Sequence, residues 1–343
     1  MLGMSRGKQL ILLIGGLALV GLVAYLAYQT RPQPRPAYPP GPEAGLAWLP
    51  ADAAAIGAVD LEGVRKYQWF LQTFSTATQG VAEDADYRAF VTATGFDYAR
   101  DLDRLWVAGF AENQRALVAG VAEGRFASDK IIAYARAQGA TASRYQNLDT
   151  YEWRRAPSPG QSERRFAFAF LEDSRLAYAA NATLLARVID CWLGRAPSVA
   201  ADENRRAELA RLAAGHHAWV VLDPVRWSAG THGLALGQSD FAKVLAQVSL
   251  GLRVTEQQAE LRAEARCHEP QACERLRDNI RVMALAGRIA LSRDRSEASR
   301  AMADALGNLD LNLRDATLEA RLTLAPETLA ALLRAAPSAV ARP

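Results

Sequence analysis

A chain of 343 residues, half of them hydrophobic, has material for one large or two average domains, and a formal charge of only +3 argues against a nucleic-acid binder, which would carry a concentrated basic excess. Even that excess sits at the start: Arg6, Lys8, Arg31 and Arg35, with Glu43, precede residue 44 and leave 36 cations facing 36 acids in the rest. The bulk of the chain is neutral.

The first element is QLILLIGGLALVGLVAYLAYQ, residues 9–29, which holds no charge. About 20 apolar residues at 1.5 Å each make some 30 Å of helix, enough to cross a hydrocarbon core. The basic residues on either side do not decide its orientation, but a short basic start before an apolar run is the layout of a secretory signal, which leaves the N-terminus in the cytoplasm. Residues 1–8 are then a cytoplasmic tail and 9–29 a single-pass signal anchor in the inner (cytoplasmic) membrane, with the bulk of the chain periplasmic. Cleavage is disfavoured, because Tyr25 or Leu22 would stand three residues before the cut, where a small side chain is needed. No cysteine near the run allows a lipoprotein anchor. Leu12 stands where a pilin needs Glu, and Gly15, Gly16 and Gly21 form no GxxxG pair. Residues 30–46 include RPQPRPAYPPGP, a composition that favours extended polyproline II; the linker is either a semi-rigid stalk of somewhat under ~40 Å or a spacer without further role.

The folded region divides into domain 1, residues 47–200, and domain 2, residues 201–343. The spacing of apolar residues predicts a strand at 54–60, a helix at 61–74, a short helix around Tyr87–Val91 ending near Gly95, and a hairpin from 105–110 to 116–121. Ser128 is the expected N-cap of a helix over 129–138. Strands follow around Tyr145 and Tyr151, then a hairpin over 165–180 and a helix over 183–193 closed by Gly194. In the second half, a helix over 205–214 precedes the strand AWVVLD, and Ser239 caps a helix over 240–248. A hairpin from 250–254 to 259–267 has Glu260, Arg262, Glu264 and Arg266 on its solvated face. Helices at 271–289 and 296–306, a hairpin over 309–324 and a helix from Pro326 complete the chain. The fold class is α+β, antiparallel sheets packed with helices, and the matching order of hairpins and helices predicts two related ββα-type halves.

The runs AFLEDSRLAYAANATLLARVID, 169–190, and LRVTEQQAELRAEARCHEPQACERL, 252–276, resemble segments of uncharacterised signal-anchored bacterial proteins with a large extracytoplasmic α+β region. The resemblance covers most of 47–335 and rests on pattern. It implies a fold and a compartment, and carries no activity to any residue.

Chemistry-bearing residues are sparse. Cys267 and Cys273, in CHEPQAC, are placed for a local disulfide, with free thiols or a metal site that includes His268 as the alternatives. Cys191 lies on an apolar helix and reads as core. His216 and His217 read as a strand edge, and His232 is the better enzyme candidate but has no partner in the sequence. Asp97, Asp101 and Asp103 lack the Gly turn and terminal Glu of a calcium loop and read as caps rather than as a cation site. Trp153, Phe166, Phe168 and Phe170 are candidates for an apolar pocket, against the reading that they are core. No nucleotide, zincin or hydrolase motif occurs, and no catalytic residue, metal or cofactor is expected. The functional expectation is a non-enzymatic, membrane-anchored envelope protein, an interaction or scaffold module or an accessory subunit of a membrane complex, with protein partners in the envelope. A periplasmic binder of lipid or another apolar ligand is the alternative, and a hydrolase using His232 or the Asp97 cluster the remote one.

Overall fold

The computed structural model describes residues 44–77, 84–112, 115–155, 164–230, 241–294 and 296–335. The apolar run at 9–29 expected to be an anchor, nearly all of the expected linker, and His232 and Ser239 lie outside the described residues. Among the described residues no helix is long and apolar enough to cross a membrane.

The protein is α+β, with antiparallel strands packed by helices. In chain order the elements are β1 (Ala55–Asp60), α1 (Leu61–Val64), α2 (Gln68–Ala77), α3 (Ala85–Thr94), α4 (Tyr98–Asp101), β2 (Leu102–Glu112), β3 (Arg115–Gly124), α5 (Ser128–Ala137), β4 (Thr141–Tyr145), β5 (Leu148–Arg155), β6 (Arg164–Glu172), β7 (Arg175–Ala179), α6 (Ala182–Trp192) and α7 (Glu203–Gly215). They continue with β8 (Ala218–Leu222), α8 (Pro224–Gly230), α9 (Phe241–Val244), β9 (Leu245–Val254), β10 (Ala259–Cys267), α10 (Pro270–Ser292), α11 (Glu297–Gly307), β11 (Asp310–Arg314), β12 (Thr317–Leu324) and α12 (Pro326–Ala335).

Three local expectations need correction. The helix expected over 61–74 is broken into α1 and α2, with Gly63 in the first segment and a turn at Arg65–Lys66. Ser128 is the first residue of α5 and not its cap; Ala127 holds the cap position without a side-chain hydrogen bond. The helix expected over 240–248 is only the four residues of α9, because Leu245 and Val248 pair as strand residues with Cys267 and Ala265. There the ladder to a distant strand outweighs the local helical pattern.

Contacts divide the described residues into two units: 44–62 with 84–215, and 63–77 with 216–335. The division falls after residue 215 and gives α2 to the C-terminal unit, whereas the pattern of the sequence divides the chain at 200. In the N-terminal unit the strand order is β1-β2-β3-β7-β6-β5-β4, with neighbours antiparallel. One face of β6 and β7 carries Ala167, Ala169, Ala177 and Ala179, all buried, and these small side chains let α6 lie close with Leu184, Leu185, Val188 and Ile189 turned inward. The other face carries Tyr178, whose ring lies over Gly120 and whose hydroxyl donates to the Trp106 carbonyl at 3.0 Å. A Cβ at Gly120 would run into that carbonyl and stand 2.6 Å from the Tyr178 hydroxyl, so the close approach demands glycine.

In the C-terminal unit the order is β8-β9-β10-β12-β11, again with antiparallel neighbours. Helix α10 packs on β10, β12 and β11 and along α11, α11 packs on α12, and α12 on α2. The solvated face of β10 and β12 is laced by Arg262 with Glu319 at 3.1 Å and Arg321 with Glu319 at 2.8 Å.

Candidate functional site

Helix α10 is 23 residues long, about 34 Å, and is apolar on two sides. Its inward stripe starts with Cys273 and Leu276, both buried, and Ile280, partly buried; they join Leu245, Cys267, Ala272 and Leu318 in one cluster. Beyond Leu276 no residue of α10 is buried. From there a second stripe emerges on the opposite side, Val282, Leu285, Ala286 and Ile289, at the i, i+3, i+4, i+7 spacing of one helix face. Val282 is 68% exposed, Leu285 60% and Ile289 49%, with Met283 beside them at 50%. Among the described residues six large hydrophobics are exposed, and four of them stand on these two turns, so this is a patch and not the usual scatter. Arg281 and Arg288 lie together along one border of the stripe, Arg293 follows at the helix end, and residues 279–293 contain no acid.

The start of this helix is fixed covalently. Cys267, the last residue of β10, is bonded to Cys273 in the first turn of α10, with Cα atoms 5.7 Å apart. The Cys267 amide donates to the Ala316 carbonyl at 2.8 Å, which ties the same corner to the β11–β12 turn.

A second cluster was not legible in the sequence. Asp60, Arg104, Glu123, Arg175 and Glu172 stand opposite one another on β1, β2, β3, β7 and β6, a row of alternating charge across five neighbouring strands. Their closest approaches are 3.7 Å, 3.4 Å, 3.3 Å and 3.0 Å in that order, and Glu62 adds a contact of 3.3 Å to Arg104. The Arg175 guanidinium, nearly buried, also lies 4.8 Å from the Trp48 ring centre and 5.4 Å from that of Trp192. Trp48 in turn meets Trp106 edge-on at 5.1 Å, and Leu46 and Leu49 beside it are fully buried. The residues that follow the linker are therefore built into the core of the N-terminal unit.

The other candidates occupy structural positions. Asp97 caps α4 by accepting from the Ala99 amide at 3.0 Å, and the buried Asp101 carboxylate accepts from the Asp97 amide at 3.0 Å and pairs with Arg100 and Arg125. Burial alone would raise the Asp101 carboxyl, but the Arg100 hydrogen bonds, the Asp97 amide and the charges of Arg100 and Arg125 outweigh it and hold the group below its ordinary value. His217 accepts from the Val254 amide at Nδ1, 3.1 Å away, and meets Tyr67 edge-on, while the His216 ring packs over Gly251. His268 is exposed. Cys191 is buried, and burial, with Asp190 and Asp52 nearby and Arg187 opposing, pushes its thiol up to about 11, which makes it a poor nucleophile. Among the described residues no group of three or more His, Cys, Asp or Glu could hold a metal ion.

Trp153, Phe166, Phe168 and Phe170 do come together. Trp153 opposes Phe166 and Tyr151 opposes Phe168 across β5 and β6, so all share one face of the sheet. Phe168 is buried and stacks on Tyr151 at 5.1 Å; Phe166 and Phe170 flank it at 6.2 Å and 6.1 Å, and Phe126 meets Phe170 at 6.0 Å. Trp153 and Phe166, at the outer end, are half-buried.

No protein family and no curated protein matches the chain. Among solved structures, crystal forms I, III and IV of TP0453 are similar to it at TM-scores of 0.44, 0.47 and 0.47. Their identities are 10%, 10% and 9%, over 84% of this chain and 96%, 97% and 96% of theirs. Likeness at that level establishes neither kinship nor activity.

Proposed function

We propose that this chain is a non-enzymatic, single-pass protein of the cell envelope, anchored in the inner membrane by residues 9–29 with its N-terminus in the cytoplasm, whose periplasmic α+β region works as an interaction or scaffold module. The observation that carries the reading is the Cys267–Cys273 disulfide, since such bonds persist in oxidising compartments and are rare in the cytosol. Two further features support it. The base of the linker is braced in the core through Leu46, Trp48 and Leu49, as a tethered domain requires, and among the described residues three candidates for chemistry, Asp101, His217 and Cys191, are engaged in caps, strand contacts and packing.

The apolar-ligand alternative has less support, because Tyr151, Phe166, Phe168, Phe170 and Phe126 touch ring to ring where a ligand would have to sit. A duplicated unit belongs to the same proposal: β1-β2-β3-β7-β6 and β8-β9-β10-β12-β11 repeat one strand order, with β4 and β5 an added hairpin at the edge of the first.

The test is purification of the full chain from native membranes in mild detergent, with mass spectrometry of co-purifying proteins and small molecules, and alkylation of its cysteines after unfolding in denaturant but before reduction. Reproducible protein partners and a protected Cys267–Cys273 pair are expected. A free monomer with three alkylated cysteines would overturn both the module and its compartment.

A further inference from the structure

We infer that the outward stripe of α10 is a docking surface for an anionic lipid bilayer, on which the C-terminal half of the helix lies flat. The inference rests on the proposed anchoring, which puts a membrane within reach, but the contact is made by residues far from the anchor. Val282, Leu285, Ala286 and Ile289 give the helix an exposed apolar face two turns long, and Arg281, Arg288 and Arg293 border or follow it without a single acid between residues 279 and 293. An apolar face rimmed by arginine is the composition of helices that seat at the interface of headgroups and acyl chains. Ordinary surface helices carry one apolar face; α10 carries two, and its inward one is already occupied by Leu276, Ile280 and the disulfide cluster.

Charge decides between occupants. A second copy of the chain packed stripe to stripe would bring the three arginines at 281, 288 and 293 together with Asp278, one turn before Arg281, as the nearest acid within the helix, a net positive seam that anionic headgroups complement directly. Reach is compatible: the residues from 31 to 42 span at most ~40 Å as polyproline II, so the folded region stays beside the bilayer that holds it. The disulfide at the root of α10 holds the helix to β10 and so presents the stripe from a fixed base.

The test uses the full chain carrying Leu285→Cys labelled with an environment-sensitive fluorophore, reconstituted in phosphatidylcholine vesicles with or without phosphatidylglycerol. Gln257→Cys, in the exposed β9–β10 turn, is the control site. Flotation reports the anchor and the emission of the label reports the stripe. The expected result is flotation with both vesicles, and a blue shift at residue 285, quenched by spin-labelled acyl chains, that requires phosphatidylglycerol and is absent at 257. Arg281→Gln and Arg288→Gln should each lower the ratio of docked to undocked chain about fivefold. Flotation with a water-like label at 285 in both vesicles overturns the inference and leaves the anchor standing; flotation only with phosphatidylglycerol upholds the docking surface and overturns the anchor. A blue shift that needs no anionic lipid and accompanies cross-links between copies, or that persists in a detergent-solubilised monomer, overturns the inference in favour of a second copy or of another segment of this chain.

Discussion

Opening the Cys267–Cys273 bond tests whether the corner between β10 and α10 is held by covalent closure or by packing. The two cysteines are six residues apart, and the loop-entropy relation for so short a loop gives about 2.4 kcal/mol of stabilisation. Reduction is a cleaner perturbation than substitution, because both sulfurs are buried and a double Cys→Ala variant would add the cost of a cavity. The reporters are the Cys267 amide, bonded to the Ala316 carbonyl at 2.8 Å, and the Ala272 amide, bonded to the Glu269 carbonyl at 3.1 Å. If the corner opens locally, 2.4 kcal/mol corresponds to roughly 60-fold faster hydrogen exchange at these two amides on reduction, while amides in the middle of the β9–β10 ladder change little. Exchange measured by NMR or by mass spectrometry of peptides over 265–276, with and without reductant, gives the ratio. Rates that agree within about twofold would refute the argument, for they would mean that the Cys267, Leu276 and Leu318 cluster holds the corner without the bond.

Arg175→Met removes the cation from between Trp48 and Trp192 and leaves Glu123 and Glu172 facing each other with no positive charge between them; a loss of about 3 kcal/mol is expected in urea unfolding of the N-terminal unit, and a loss under ~0.5 kcal/mol would mean the row of charges is idle. Cys191, with its thiol near 11, should resist iodoacetamide in the native protein at pH 8, where about one thiol in a thousand is ionised, and should react once the chain is unfolded; fast native labelling would show the site to be open. Asp101 is held below its ordinary carboxyl value of 3.8, so its ionised form stabilises the fold above that value and the contribution is lost as the pH falls below it through the depressed folded value. Asp101→Asn should therefore destabilise the protein at neutral pH and match it in strong acid, and a stability difference that does not change across that range would contradict the pairing with Arg100 and Arg125.

What the sequence shows and what it hides divide along a physical line. Hairpins with strict alternation, such as Glu260 to Arg266 opposite Glu319 and Arg321, are legible because strand period and solvent exposure are local properties. Helix ends with their own chemistry are legible too: Asp97 caps α4, and Gly95 closes α3 with φ of +74°. Where a pairing between distant strands competes with a local pattern, the pattern misleads, as at Leu245 to Val248, which look helical until Cys267 and Ala265 pair with them. Of the row Asp60, Arg104, Glu123, Arg175, Glu172, the hairpin pairs Arg104–Glu123 and Glu172–Arg175 are local, but the β1–β2 and β3–β7 pairings that join them into one row come from strands brought together only by the fold.

The α10 stripe is a different case, and it bears on where activity should be sought. Val282, Leu285, Ala286 and Ile289 sit at helical spacing in plain view, but so do Cys273, Leu276 and Ile280, and a linear pattern does not say which of two apolar faces a sheet will take. The disulfide and the cluster around Leu318 settle that choice by anchoring the first turns, and the second face is left outward as a geometric consequence. Among the described residues, four of the six exposed large apolar side chains stand beside arginines on this one helix, while Asp97 and Asp101 serve the α4 cap and the Cys191 thiol is packed away. Recognition by this protein is therefore to be looked for along residues 281–293 before any cleft.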